Sequence, residues 1–289
     1  MALNRSLVGK SYATVSTDVT VEALQKYARA YNDDNPRYFE KSPHEMVAPP
    51  LFNVVVAWLP LITAISDPEL RVDLLRLLHR RQDMLFFAPI RPDDRIAANA
   101  SIESIEKSAT GEIITISLDA RNQLGQKVSE SRFTALIRGR RDRDLPQAAS
   151  SGRESTSGKP LLTVSQKIDA DQTIRYADAS GDRNPIHLDE SMARMAGLPG
   201  IIVHGLCTMA FSSKVIIDHF CGGNPARLRR LAVSFSRPVF PGDRISTTVW
   251  HGRDSGNTMS YGYETFNSAG VAVLRDGIAE VMLEGSDSQ

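Results

Sequence analysis

Three separated stretches of this chain repeat at one fixed interval, which limits its possible folds more than any other feature. Tyr27-Ala28 answers Tyr176-Ala177, and Asp33-x-Asn35-Pro36 answers Asp182-x-Asn184-Pro185. Ala88-Pro89-Ile90-Arg91-Pro92-Asp93-Asp94-Arg95-Ile96 answers Arg237-Pro238-Val239-Phe240-Pro241-Gly242-Asp243-Arg244-Ile245, and all three pairs lie 149 positions apart. One interval shared by three segments marks a duplicated module. The chain therefore divides into two units of about 130–145 residues, each large enough for its own core. The expected division is an amino-terminal domain over 1–145, a linker over 146–160 and a second domain over 161–289. The linker stretch is rich in Ser, Gly, Ala and charge and has no apolar periodicity.

Each unit carries the same order of local signals. A short amphipathic helix is expected over 21–30, capped by Asp18 or Thr20, and again over 170–179, capped by Asp169. The Asp-x-Asn-Pro segment follows, then a long apolar helix, then strands. In the second unit that helix spans Gly205 to Phe220 and stops at Gly222-Gly223. Leu206, Met209, Ala210, Ile216, Ile217 and Phe220 recur along it at helical spacing. Strands are expected over 229–237, 244–251, 260–267 and 271–283. Asn267-Ser268-Ala269-Gly270 and, in the first unit, Asn122-Gln123-Leu124-Gly125 have hairpin chemistry. His79, Arg80 and Arg81 resemble a solvated helix end. A buried helix followed by consecutive antiparallel strands implies a sheet curled around it, an α+β architecture.

The second unit carries the chemistry. Ser180-Gly181 halts a helix and Pro185 drives Asn184 out of the α region, so Asp182 and His187 sit on an irregular segment. There a carboxylate and an imidazole can serve one reacting centre, one accepting a proton while the other gives one. Taken singly, Asp182 would be a turn former and His187 a core histidine. Together, with Gly205 downstream, they form a candidate site. His204 is expected to fix the loop before the helix. In the first unit Tyr38 stands where the histidine should be, and tyrosine titrates near ~10 against ~6.5 for histidine. Asn32 replaces the glycine, so one site per chain is expected, with walls from the first unit.

Other chemistries fit less well. Ser180 lies near Asp182 and His187, but no Gly-x-Ser-x-Gly elbow exposes it, so it is expected to hydrogen-bond at the helix end. Asp182-Arg183-Asn184 begins like a calcium loop, yet His187 occupies the sixth position and Ala193 the twelfth, so no metal site is expected. With 34 basic and 34 acidic residues the net charge is zero, which gives no electrostatic case for nucleic acid or an anionic membrane. The longest apolar stretch, 51–65, is broken by Asn53 and Pro60 and falls short of the ~20 residues of a bilayer span. Two cysteines make no disulfide framework, and neither a signal peptide nor a peroxisomal address is evident, so a cytoplasmic location is expected.

Tyr-Ala-x-x-Ser-Gly-Asp-x-Asn-Pro-Ile-His-x-Asp over 176–189, followed by Gly-Ile-Ile-Val-His-Gly-Leu over 200–206, resembles the (R)-specific enoyl-CoA hydratases of the MaoC-like group. The resemblance covers the whole second unit. The first unit is similar to the degenerate amino-terminal domain of two-hotdog members, with Ala48-Pro49-Pro50-Leu51 where Val203-His204-Gly205-Leu206 stands. It implies a double hotdog, each half an antiparallel sheet wrapped around a long helix. The implied activity is reversible hydration of trans-2-enoyl thioesters to (R)-3-hydroxyacyl thioesters. Asp182 would act as base toward water, His187 would orient the water and relay the proton, and Asn184 and Ser180 would support them. The Gly205 amide would be the oxyanion donor, and Pro50 lacks an amide at the matching place in the first unit. No cofactor is implied beyond coenzyme A as part of the substrate, and the thioester could be carried by coenzyme A or an acyl carrier protein. The chain could be a monomer or a homodimer. Trp58 and Phe52 are core residues or, on the sharper reading, line an acyl tunnel. The alternatives are a non-catalytic acyl-thioester binding subunit and a thioesterase on the same fold.

Overall fold

Alternation of branched apolar and polar residues makes the strands of this chain. In β4 (Gly111–Arg121), Ile114, Ile116, Leu118 and Ala120 are buried while their neighbours are not. The computed structural model describes residues 2–40, 42, 45–139, 158–252, 254 and 256–283. The first half runs β1 (Val15–Asp18), α1 (Val21–Arg29), α2 (Asn53–Ile65), β2 (Leu77–Phe86), β3 (Arg95–Ser108), β4 and β5 (Lys127–Arg138). The second runs β6 (Leu162–Lys167), α3 (Gln172–Ser180), α4 (Glu190–Met195), α5 (Gly205–Phe220), β7 (Leu228–Phe235), β8 (Arg244–His251), β9 (Thr258–Asn267) and β10 (Ala272–Met282).

The strands form one ten-stranded sheet in the order β1-β3-β4-β5-β2-β7-β10-β9-β8-β6. From either edge inward the connectivity is the same, so the halves are related by a pseudo-two-fold at the centre. There β2 pairs antiparallel with β7, from Arg81↔Ser234 to Leu85↔Arg230. Arg230 reinforces this seam, its Nε and Nη2 donating to Asp83 at 2.9 and 2.8 Å and its Nη1 to Glu280 at 3.0 Å.

The sheet curls around the two long helices, giving the α+β double-hotdog architecture. α5 has the bounds read from the sequence, and Gly222 and Gly223 follow it at φ 61° and 72°, conformations that glycine adopts without strain. A buried hydroxyl cluster fastens α5 to β8 and β9: Ser212 lies 2.8 Å from Thr265, which lies 3.0 Å from Thr247. In the first half α2 packs Ala57, Leu61, Ala64 and Ile65 into a core with Ile102, Ile114, Ile116 and Phe133. α1 and α3 cross at the pseudo-axis, where the Tyr27 and Tyr176 hydroxyls share a 3.0 Å hydrogen bond. Both asparagine hairpins form, with Asn122 Oδ1 accepting from Leu124 and Gln126, and Asn267 Oδ1 from Ala269 and Val271.

Three local expectations are corrected. α3 starts at Gln172, later than expected, because Gln172 Oε1 takes the Asp169 N–H at 3.1 Å. The Asp169 carboxylate instead accepts from Arg175 at 2.8 Å and Asn32 at 3.0 Å, so it does not cap the helix. His79 and Arg81 lie in β2, where the His79 ring packs 4.2 Å from Phe133 and 4.4 Å from Phe235. Apart from residues 158–160, the expected linker lies outside the described residues. Among the described residues no helix is long and apolar enough to cross a membrane.

Candidate active site

A chain of short-range side-chain turns places the candidate residues. Gly181 ends α3 in the left-handed region at φ 83°. Buried Ser180 donates to the Tyr176 carbonyl at 2.7 Å and accepts the Asp182 N–H at 3.2 Å. Asp182 Oδ1 accepts the Asn184 N–H at 3.1 Å, and Asn184 Oδ1 accepts the Ile186 N–H at 3.3 Å. That second turn opens the 3₁₀ turn Pro185–His187, which carries the His187 side chain inward to 7% exposure.

His187 Nδ1 lies 2.7 Å from the Ile202 carbonyl oxygen. A carbonyl only accepts, so Nδ1 carries the proton and the neutral ring presents Nε2 as a bare acceptor. His204, one residue ahead of α5, stacks on His187 at 3.8 Å between centroids and 27° between planes. Its Nε2 donates to the Asp182 carbonyl at 2.9 Å, and its ring lies 5.0 Å from that of Tyr176. One polar side-chain atom from each of Asp182, His187 and His204 falls within 4.8 Å of the others. The two imidazoles stack instead of converging. Of their nitrogens, His187 Nδ1 is taken up by the Ile202 carbonyl and His204 Nε2 by the Asp182 carbonyl.

Burial sets the protonation states. It holds the Asp182 carboxyl above the usual carboxylate range, against the opposing pull of His187 and the Asn184 amide. It lowers His187, against Asp182 and the Ile202 carbonyl. His204 is pushed down to about 3 by burial and by His187 beside it. The cluster therefore sets a carboxyl group and an uncharged imidazole side by side.

α5 begins at Gly205, and its N-cap residue His204 makes no side-chain hydrogen bond to the first turn, where the amides form the positive end of the helix dipole. A Cβ on Gly205 would lie 2.9 Å from the Phe235 ring, so glycine lets the helix start against that wall.

The matching place in the first half is built differently. Asp33, Asn35 and Tyr38 are buried, with Tyr38 where His187 stands in the other half. Lys214, reaching over from α5, sits 3.4 Å from Asp33, 2.7 Å from Asp34 and 3.0 Å from Asp218. Burial opposes the Lys214 charge, but the three carboxylates outweigh it and raise its hold on the proton. Asn35 Nδ2 donates to the Gly223 carbonyl at 2.9 Å. Of the two aromatic residues singled out in the first half, Phe52 is 1% exposed and packs edge-on against Tyr27 in the core. Trp58 is half-buried, and its Cδ1 lies 3.2 Å from where a Gly181 Cβ would stand. Sequence reasoning missed Lys214 and the cross-half reach of Trp58, because no local spacing encodes contacts between the halves.

Known proteins share this plan. Residues 153–269 match the family described as MaoC like domain, and residues 6–131 match the FAS1-like dehydratase domain region. The chain is 26% identical over 242 residues to a probable enoyl-CoA hydratase 2 of Dictyostelium discoideum, covering 80% of this chain and 79% of that one. It is 29% identical over 216 residues to 3-hydroxyacyl-thioester dehydratase Y of Mycobacterium tuberculosis, covering 71% and 72%. The crystal structure of a MaoC-like dehydratase from Phytophthora capsici superposes over 100% of both chains with a TM-score of 0.82 at 22% identity. The chain belongs to the MaoC-like dehydratase family, in its two-hotdog form.

Proposed function

We propose that this protein is a hydro-lyase that adds water reversibly across the double bond of a trans-2-enoyl-CoA to give the (R)-3-hydroxyacyl-CoA, and that the second half is its catalytic domain. The observation that carries the reading is the adjacent pair of acceptors, the Asp182 carboxylate and the bare Nε2 of His187. A water between them would give one hydrogen to each, turning an oxygen lone pair toward C3 of the substrate. Attack forms the C3–O bond and moves the π electrons into a thioester enolate. Asp182 takes the water proton, His187 orients the water and relays the proton, and C2 receives it, which restores the carbonyl and accounts for every atom of the added water. The Gly205 amide at the start of α5 is the enolate donor, where the helix dipole favours negative charge. Asn184 and Ser180 act through the turns that hold Asp182. Water and thioester suffice, so no metal or organic cofactor enters a step. Balanced charge offers no basic dock for an acidic carrier protein, which favours coenzyme A as the carrier.

The names of the relatives agree with this chemistry. The test is a panel of crotonyl-, octenoyl- and branched enoyl-CoA substrates followed by loss of the conjugated-thioester absorbance and chiral analysis of the product. (R)-3-hydroxyacyl-CoA is the expected product. Free thiol release without hydration would identify a thioesterase instead, and binding without turnover a non-catalytic subunit.

A further inference from the structure

The two long helices meet the two Asp-x-Asn-Pro loops crosswise. The turn Pro50–Phe52 (three residues) runs into the thirteen residues of α2, together matching the sixteen of α5. Counted from Pro50 and from Gly205, the ninth and tenth residues are Trp58 and Leu59 in one half, Ser213 and Lys214 in the other. Lys214 reaches the first-half loop and pairs with Asp33 and Asp34. At the second-half loop the visitor is Trp58. Its Cδ1 and Nε1 lie 3.2 and 3.6 Å from the position of a Gly181 Cβ, so a side chain at 181 would press on the indole. In the first half Asn32 takes the corresponding left-handed position at φ 59° and spends its side chain on Asp169 and Arg175.

The environment of Asp182 differs accordingly. Among the described residues, the titratable groups around it are His187, His204 and Tyr176. Neighbouring Arg183 is held by Asp178. α2, Asn-Val-Val-Val-Ala-Trp-Leu-Pro-Leu-Ile-Thr-Ala-Ile, brings no charge at all. Where Asp33 meets an ammonium, the Asp182 loop meets an apolar wall.

We propose that Trp58 is a positioning residue for Asp182: the half without the histidine supplies an indole that seats the Gly181 turn and denies the carboxylate a counterion. The proposal rests on Asp182 being the base assigned above. Three variants test it. Trp58→Gln removes the apolar wall, Trp58→Phe keeps it, and Leu59→Lys, at a site 53% exposed, supplies the ammonium that Lys214 provides in the other half. Trp58→Gln and Leu59→Lys should each lower kcat about tenfold or more while KM changes by less than about threefold. Both should move the acid limb of the pH profile to lower pH, since hydration or a cation favours the carboxylate. Trp58→Phe should restore most of kcat and the limb. Unchanged kcat and an unmoved limb in both Trp58→Gln and Leu59→Lys overturn the proposal. A second readout needs no turnover. In a Trp250→Phe background the emission of Trp58 should show a step with pH that Asp182→Asn abolishes, and its absence also overturns the proposal. An inactive wild type with that step intact would instead sink the hydratase reading alone.

Discussion

His204 and His187 stack 3.8 Å apart while His204 donates to the backbone carbonyl of Asp182 at 2.9 Å, so one neutral ring touches both members of the candidate pair. His204→Phe keeps the stack and loses the hydrogen bond, and should lower kcat about tenfold. The same variant tests acid stability. The folded His204 titrates at about 3, below the ordinary value of 6.5. The unfolded chain therefore binds the proton first as pH falls, and stability is lost from about 6.5 downward at up to about 1.4 kcal/mol per pH unit. Urea titrations across that window should be flatter for His204→Phe than for wild type.

Asp182→Asn should separate activity from stability. As positioned acid–base groups, Asp182→Asn and His187→Gln should each lower kcat about 10²–10⁴-fold. The Asp182 carboxyl is held above its ordinary value by burial. Its charged form therefore opposes folding at neutral pH, and that cost vanishes on acidification below the unfolded value of ~3.9. Asp182→Asn should raise Tm at pH 7 and lose this advantage in acid, as differential scanning fluorimetry would record.

The ordinary range also places the acid limb of wild-type kcat/KM. Protonation of a carboxyl raised above that range switches off the base, so the limb should lie above ~3.9. The neutral state of His187 keeps the profile level through neutrality. A pH–rate series on crotonyl-CoA with and without Asp182→Asn checks this.

Gly205→Ala drives a methyl toward the Phe235 ring, 2.9 Å away. Either the ring or the helix start must move, and a displaced oxyanion donor typically costs about 10²–10³ in kcat. Gly205→Ala with Phe235→Leu should recover part of that loss in the same assay, because the smaller side chain yields the space.

Lys214→Met strands Asp33, whose side chain is 1% exposed. Breaking such a pair costs about 3–5 kcal/mol when both groups are buried, and less here because Lys214 is partly exposed. The double variant Lys214→Met, Asp33→Asn should recover most of the loss in chemical denaturation.

Much of this molecule was legible because its signals are local. The 149-residue interval gave the duplication, glycines bracketed α5, and Ser180-Gly181 with Pro185 marked the irregular segment that carries Asp182 and His187. Failures came where a distant partner decided the outcome. Asp169 has the chemistry of a cap, but Arg175 and Asn32 claim it. The basic run after His79 suggested a helix end, yet pairing with β5 and β7 makes it a strand. The Lys214 ion pairs and the Trp58 contact join residues far apart in the chain, which no periodicity reports.

The β2–β7 ladder has one last consequence. In an assembly of identical subunits every residue would appear on both sides of the axis, so Tyr38, Pro50 and Lys214 would each stand at both centres. With both halves tethered in a single polypeptide the two loops can differ, Tyr38 on one side and His187 on the other. The tether also makes their separation a unimolecular event. The wall that α2 lends to the opposite loop is therefore retained at any dilution.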